Sequence, residues 1–125
     1  MIYTGYYANI KKYEEAGLVP VAVSGKVPPF YDGMTYPDFA PRWPMYRKWK
    51  DGIITNAEYA QEYKDYLDTL DKKEIKLDFD SPNQCNNMIL LCYEKSGDFC
   101  HRHVLADWLE KNFGYKVEEY KSEQD

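Results

Sequence analysis

The chain has 125 residues, 44% of them hydrophobic and 30% charged, which is typical of a globular protein and excludes a disordered or collagen-like chain. Its net charge of −5 disfavours a protein that coats duplex DNA, and no apolar run is long enough to cross a bilayer. Because the N-terminus lacks the basic and hydrophobic regions of a secretory signal, we expect one cytoplasmic domain over residues 1–125, with a polar C-terminal tail at 121–125.

The first third of the chain predicts two strands and a long irregular segment. Residues 2–7 (IYTGYY) and 19–23 (VPVAV) read as short strands, and the residues between them can form a helix that ends at Gly17. Residues 24–45 contain five prolines and no periodic pattern, so we expect an irregular loop. A loop of this length inside a compact domain is often functional.

The middle of the chain predicts an amphipathic helix and a buried strand. The sequence TNAE at 55–58 is a capping-box pattern, and apolar residues recur behind it at three- and four-residue steps as far as Leu70. Residues 86–94 (NNMILLCYE) contain a continuous apolar run of the kind that a parallel sheet buries on both faces.

The last third predicts a second helix and a final strand. The helix should run from Asp98 to about Asn112, with Gly114 just after its end, and residues 115–120 are compatible with a strand. Alternating strands and helices predict an α/β domain whose mainly parallel sheet is flanked by helices, a Rossmann-like three-layer fold.

Residues 92–103 (CYEKSGDFCHRH) concentrate the groups that can carry chemistry, immediately after the buried strand. On a helical wheel the two histidines differ. His103 falls on the polar side and should be solvated, whereas His101 shares the apolar face with Val104, Leu105, Trp108 and Leu109.

The start of this helix is a candidate anion site. Asp98 is the natural N-cap, with Ser96 as its competitor, so Cys100 and His101 should fall in the first turn, where backbone N–H groups lack partners. Ligands of open parallel sheets bind beyond the carboxyl ends of the strands. The free amides, the helix dipole and Arg102, whose guanidinium should reach the rim, would together favour an anion there.

The three cysteines, Cys85, Cys92 and Cys100, leave several interpretations open. An odd, clustered set is poor evidence for a disulfide framework, so reduced thiols, a metal site or core packing are favoured. The helix dipole and a nearby cation would favour a thiolate at Cys100. Either Cys100 or Cys92 could then be a nucleophile, with Glu94 or His101 as the proton carrier.

A zinc site is the least favoured of these interpretations. The cysteines are seven and eight positions apart, whereas structural zinc sites usually show ligand pairs two to four residues apart. Adjacent Cys100 and His101 are also not expected to converge on one tetrahedral ion from a helix. We therefore predict no metal and no cofactor.

Residues 42–50 (RWPMYRKWK) form a second constellation, in which basic and aromatic side chains alternate without an acid. Such side chains can hold phosphates and stack on bases, which gives an alternative function, a non-catalytic nucleotide- or nucleic-acid-binding module. The three-residue spacing of Trp43, Tyr46 and Trp49 is also that of a core-facing helical stripe. Lys26, after the second strand, is placed to face the same cleft as residues 92–103.

The stretch LLCYEKSGDFCHRHVLADWL (90–109) resembles the motif of a bacterial and phage family called domain of unknown function 488. That motif is a strand-end cysteine, a glutamate two residues later, and Cys-His-Arg at the start of a helix. Residues 20–33, 36–43 and 56–67 are also similar to blocks of the family. The resemblance implies functional positions at Cys92, Glu94, Cys100, His101 and Arg102.

The resemblance and the residues together predict a site for an anionic ligand. Members of the family commonly have an arginine after the second strand, where this chain has Lys26, which keeps the charge but not the bidentate fork. We expect an enzyme that binds an anionic, phosphate- or nucleotide-like substrate at the turn 92–102, with cysteine chemistry as one route. Nucleic acid is not favoured by the net charge, and no membrane partner is expected. The predicted substrate-binding residues are Ser24, Lys26, Tyr36, Arg42 and Trp43.

Overall fold

Five parallel strands form one sheet in the part of the chain that the computed structural model describes, residues 2–80, 87–94 and 99–121. The strand order is β3-β2-β4-β1-β5, and each described pair of neighbours is parallel, which confirms the predicted sheet. The strands are β1 (Ile2–Tyr6), β2 (Val19–Ala22), β3 (Met34–Thr35), β4 (Met88–Cys92) and β5 (Val117–Glu119).

Helices lie on both faces of this sheet. They are α1 (Ile10–Glu15), α2 (Trp43–Lys50), α3 (Asn56–Leu67), α4 (Lys72–Asp80) and α5 (His101–Phe113), with 3-10 turns at Tyr7–Asn9 and Pro37–Phe39. Among the described residues, no helix is both long and apolar enough to span a membrane.

Strand β4 joins the two halves of the core because its side chains are buried on both faces. Met88 and Leu90 pack in the larger cluster, which includes side chains from α2, α3, α4 and α5. Ile89 and Leu91 pack in the second cluster, with Tyr13 of α1. The predicted α/β fold with three layers is therefore confirmed, and the continuous apolar run MILL is explained by burial on two sides.

The segment predicted to be an irregular loop, 24–45, contains more structure than its prolines indicate. Strand β3 pairs with β2, and the backbone N–H of Tyr36 donates to the carbonyl of Ala22 at 2.9 Å. Helix α2 begins at Trp43, inside the predicted loop. A two-residue edge strand depends on its neighbour and not on local propensity, so the sequence pattern does not reveal it.

Helix α5 begins at His101, not at Asp98 as predicted, and Asp98 and Ser96 lie outside the described residues. Cys100 is the N-cap residue and has an extended backbone, with φ −149° and ψ 145°. It therefore precedes the helix and does not belong to its first turn. The C-terminal end agrees with the prediction, since Gly114 has a left-handed conformation with φ 74°.

Candidate functional site

A cavity of about 680 Å³ opens at the carboxyl ends of β2 and β4. Because the strands are parallel, the loops that follow them meet at this edge of the sheet, together with the start of α5. Six of the predicted site residues line the cavity: Ser24, Lys26, Trp43, Cys92, Glu94 and His101.

The loop after β2 forms one wall of the cavity. Ser24 Oγ donates to the carbonyl of Lys26 at 2.5 Å and also shares a hydrogen bond of 2.6 Å with the hydroxyl of Tyr7. These bonds hold the short turn that carries Lys26. The Lys26 ammonium lies 5.8 Å from the centre of the Trp43 ring, so a cation and an aromatic face are adjacent at the rim.

Helix α2 forms another wall, and its residues divide between core and cavity. Trp49 stacks on Tyr59 with ring centres 4.8 Å apart, as expected for a core-facing stripe. Trp43, by contrast, is 57% exposed and lines the cavity, together with Tyr46 and Lys50. The basic-aromatic segment 42–50 is thus part of the same site as the turn after β4.

Arg102 does not reach the rim as predicted; it is fully buried, with 0% of its surface exposed. Its Nε and Nη2 donate to the two carboxylate oxygens of Glu119 on β5, at 3.1 and 2.9 Å. Its Nη1 donates to Cys92 Sγ at 3.0 Å and to the carbonyl of Glu94 at 2.6 Å. The prediction that its guanidinium reaches the rim is therefore wrong, because Glu119 on β5 supplies a counter-charge in the interior.

The sulfur atoms of Cys92 and Cys100 lie within bonding distance, as in a disulfide, across eight sequence positions. Their Cα atoms are 7.6 Å apart. The cysteine pattern did not predict this pairing, because the extended backbone at Cys100 that turns its side chain toward β4 is not visible in the sequence. Cys92 lines the cavity, and Cys100 is buried beside it.

His101 is buried beneath the cavity, as its helical phase predicted. Its Nε2 lies 2.8 Å from the carbonyl of Val23, and its Nδ1 lies 3.8 Å from Cys100 Sγ. Burial lowers the pKa of His101 to about 4, so the imidazole is neutral at pH 7 and a weak base. His103 was predicted to be solvated but is half-buried, and burial also lowers its pKa.

A match over most of the chain identifies its family. A family model described as the active DUF488-N3 subclade matches residues 17–113. The chain belongs to this family. The assignment agrees with the resemblance seen in the sequence and suggests catalytic activity, without naming a substrate. Neither curated proteins nor solved structures give a significant match.

Glu94 of this DUF488 protein lies between the cavity and the core. Its carboxylate is 3.7 Å from the Lys50 ammonium, and its side chain is mostly buried. The Tyr59 hydroxyl is buried nearby and has no hydrogen-bond partner among the residues that the structure describes. Burial raises the pKa of Tyr59, and the charge of Glu94 raises it further.

The other predicted site residues of the DUF488 protein do not line the cavity. The Tyr36 hydroxyl donates to Asp78 at 2.6 Å, and the Arg42 guanidinium lies over the Tyr66 ring at 5.8 Å. Cys100 and Arg102 are buried beside Cys92 behind the cavity, and Cys85 lies outside the described residues.

Cavity residues absent from the predicted list are Gly25, Pro41, Tyr46, Lys50 and Tyr93. Tyr46 and Lys50 belong to the basic-aromatic segment 42–50, so that pattern carried a usable signal. Tyr93 directly follows the strand-end Cys92. Nothing in the local sequence pattern indicates that its side chain lines the cavity. Gly25 adjoins two residues that were predicted.

Proposed function

We propose that this protein is an enzyme that binds a small anionic substrate with an attached ring, such as a nucleotide, in the cavity at the ends of β2 and β4. One observation carries the proposal: the cavity combines two lysines and exposed aromatic rings at its rim with Cys92 and Glu94 at its floor. Its volume of about 680 Å³ falls within the usual range of small-molecule sites.

Lys26 and Lys50 are the cations that would meet a phosphate group. Both line the cavity, and the Lys50 side chain stays 48% exposed beside Glu94, whereas Arg102 is fully buried with Glu119 and cannot serve. A lysine ammonium binds phosphate as a point charge with rotatable donors, so it needs less fixed geometry than an arginine fork.

Exposed aromatic faces at the rim support a substrate with a ring. Trp43 is 57% exposed and Tyr93 is 49% exposed. Burying such large rings would normally stabilise the folded protein. Stacking on such faces tolerates any planar base. A phosphate on Lys26 would bring an attached ring beside Trp43, since these two side chains are already in contact.

Proton transfer is assigned to Glu94, and Cys92 supplies a thiolate at the floor of the cavity. In the reduced protein the Arg102 guanidinium, 3.0 Å from Cys92 Sγ, stabilises a thiolate, which is the reactive and metal-binding form of cysteine. Glu94 is the better proton carrier of the two candidates, because its carboxylate lines the cavity, whereas His101 is buried and its Nε2 is engaged by the Val23 carbonyl.

Binding is tested by calorimetric titration of the reduced protein with nucleoside monophosphates, the matching nucleosides and inorganic phosphate. We expect the monophosphates to bind more tightly than either fragment. Lys26→Met, which keeps the aliphatic stem, should weaken monophosphate binding at least about tenfold, equivalent to about 1.4 kcal/mol. Lys11→Met, on the exposed surface of α1, is the matched control and should change nothing.

Turnover is tested by chromatography of the monophosphates after incubation with the protein. Glu94→Gln should abolish product formation and leave binding within a few-fold. Binding without any turnover in the unaltered protein would favour the alternative, a non-catalytic binding module. The proposed substrate class would be rejected if the monophosphates do not bind, or if they bind the Lys26→Met variant as tightly as the unaltered protein.

A further inference from the structure

We propose that Cys92 Sγ, Cys100 Sγ and His101 Nδ1 hold a zinc ion at the floor of the cavity. The three ligand atoms lie within 4.8 Å of one another. Two thiolates and an imidazole are a soft-to-borderline donor set that suits Zn²⁺ and not Mg²⁺ or Ca²⁺. The inference deepens the proposed function and rests on it in one respect, that the open side of the ion faces the substrate cavity.

The distance between neighbouring ligands fits a tetrahedral ion. With Zn–S of about 2.3 Å and Zn–N of about 2.0 Å, a sulfur and a nitrogen ligand should be roughly 3.6 Å apart. Cys100 Sγ and His101 Nδ1 are 3.8 Å apart. Adjacent residues can converge in this way because Cys100 is an extended N-cap residue and only His101 belongs to the helix. The adjacency of Cys100 and His101 therefore does not prevent them from sharing one ion.

The imidazole is oriented as metal-bound histidines usually are. Its Nε2 lies 2.8 Å from the Val23 carbonyl, which can only accept a hydrogen bond, so Nε2 carries the proton. Nδ1 then holds a free lone pair and faces Cys100. In metal-bound histidines, the ring nitrogen that does not bind the metal commonly donates a hydrogen bond to a backbone carbonyl, which fixes the orientation of the ring.

The backbone around the two cysteines fits a bridging ion better than a direct bond. Ordinary disulfides join Cα atoms about 4.4–6.8 Å apart. Cys92 and Cys100 have Cα atoms 7.6 Å apart. In the reduced protein the two sulfurs, which here lie within bonding distance, would separate to roughly 3.7 Å around an ion, and the wide backbone separation leaves room for this.

The charge around the three ligands and their access from the cavity also suit a zinc ion. The guanidinium of Arg102 donates to Cys92 Sγ and would offset part of the charge of two thiolates. Cys92 and His101 both line the cavity, so the fourth position of the ion faces it. Among the described residues, the ion would have three protein ligands and one open position, which is the arrangement of catalytic and not of structural zinc.

The experiment measures metal content in the full-length protein, produced with added zinc chloride and purified under a phosphine reductant. We expect about one zinc ion per chain. Cys92→Ser, Cys100→Ser and His101→Asn should each lower the zinc content at least about tenfold. His103→Asn and Cys85→Ser are the matched controls and should retain it.

A second measurement covers variants that fail to fold. The metal-free, reduced protein is titrated with cobalt(II) chloride, and thiolate-to-cobalt charge-transfer absorption is recorded. A band that saturates near one equivalent and is displaced by zinc is the expected result. Zinc-free protein without this band would overturn the inference, and so would loss of zinc in Cys85→Ser.

The two proposals fail separately. Zinc content and the cobalt band need no substrate, while the effect of Lys26→Met on monophosphate binding needs no metal. Zinc without monophosphate binding would reject the proposed substrate and keep the metal site. A Cys92–Cys100 disulfide recovered from protein that was alkylated on anaerobic lysis would reject the metal site alone.

Discussion

Arg102 illustrates how a single side chain in a functional motif can serve the fold. It donates to a carboxylate on β5, to a thiol on β4 and to a backbone carbonyl, all without contact with solvent. A buried charge of this kind is tolerated because it is paired and its donors are engaged. The hydrogen bond from Arg102 to Cys92 Sγ links two residues of the motif from within the core.

Arg102→Met should lower the free energy of unfolding by about 3–5 kcal/mol, because Glu119 would keep a partly buried charge without its partner. The double variant Arg102→Met/Glu119→Leu should recover part of that loss. Arg47→Met, which breaks an exposed pair with Asp51, is the control and should cost less than about 1 kcal/mol. Urea denaturation measures all three, and equal small losses for Arg102→Met and Arg47→Met would contradict this role.

The sequence could predict the place of His101 but not that of Arg102. Helical phase depends only on local geometry, so the buried face of α5 was visible in the spacing of its apolar residues. The partner of Arg102 comes from β5, 17 positions later, and its approach depends on the tertiary fold. A long-range ion pair leaves no trace in local periodicity.

At the scale of elements, helix α3 is the one whose sequence signals agree most closely with its structure. Thr55 Oγ1 accepts a hydrogen bond from the Glu58 amide at 3.1 Å, and Glu58 accepts one from the Thr55 amide at 2.9 Å. Helix α4 was not predicted, since it buries only Ile75 and Phe79 and lacks a strong apolar stripe. Local signals thus identified elements with caps and wide apolar faces.

Thr55→Ala should lower the free energy of unfolding by about 1 kcal/mol, because the first turn of α3 loses its cap. Thr55→Asp preserves an acceptor at the same position and should stay within about 0.5 kcal/mol of the original protein. Thermal and urea denaturation give both values. A loss of the same size in Thr55→Asp would show that the effect comes from threonine packing and not from the cap.

At the scale of the whole molecule, the core is unusually rich in tyrosine. The chain has 13 tyrosines, and those buried in the core are Tyr7, Tyr13, Tyr31, Tyr59 and Tyr63. Burial raises the pKa of Tyr7 and of Tyr31 to about 12. The folded protein therefore holds protons between pH 10 and 12 that the unfolded chain would release, so stability falls as the pH rises through this interval.

Spectrophotometric titration should show two classes of tyrosine. The exposed phenols should ionise reversibly near pH 10, and the buried ones should ionise only in a steep step together with loss of the far-ultraviolet circular dichroism. Refolding on return to neutral pH is the control for chemical damage. A single smooth transition of all 13 tyrosines near pH 10, with the dichroism unchanged, would contradict the burial described here.

The pairing of Arg102 with Glu119 also bears on how large the functional unit is. The family match covers residues 17–113, yet Glu119 and strand β1 lie outside it. Strand β1 separates β4 from β5, and its Thr4 hydroxyl donates to Glu119 at 2.6 Å. A fragment cut to the matched segment would expose one edge of β4 and leave the arginine behind Cys92 without its counter-ion. The smallest autonomous form of this site therefore runs from β1 to β5, beyond the segment by which its family is recognised.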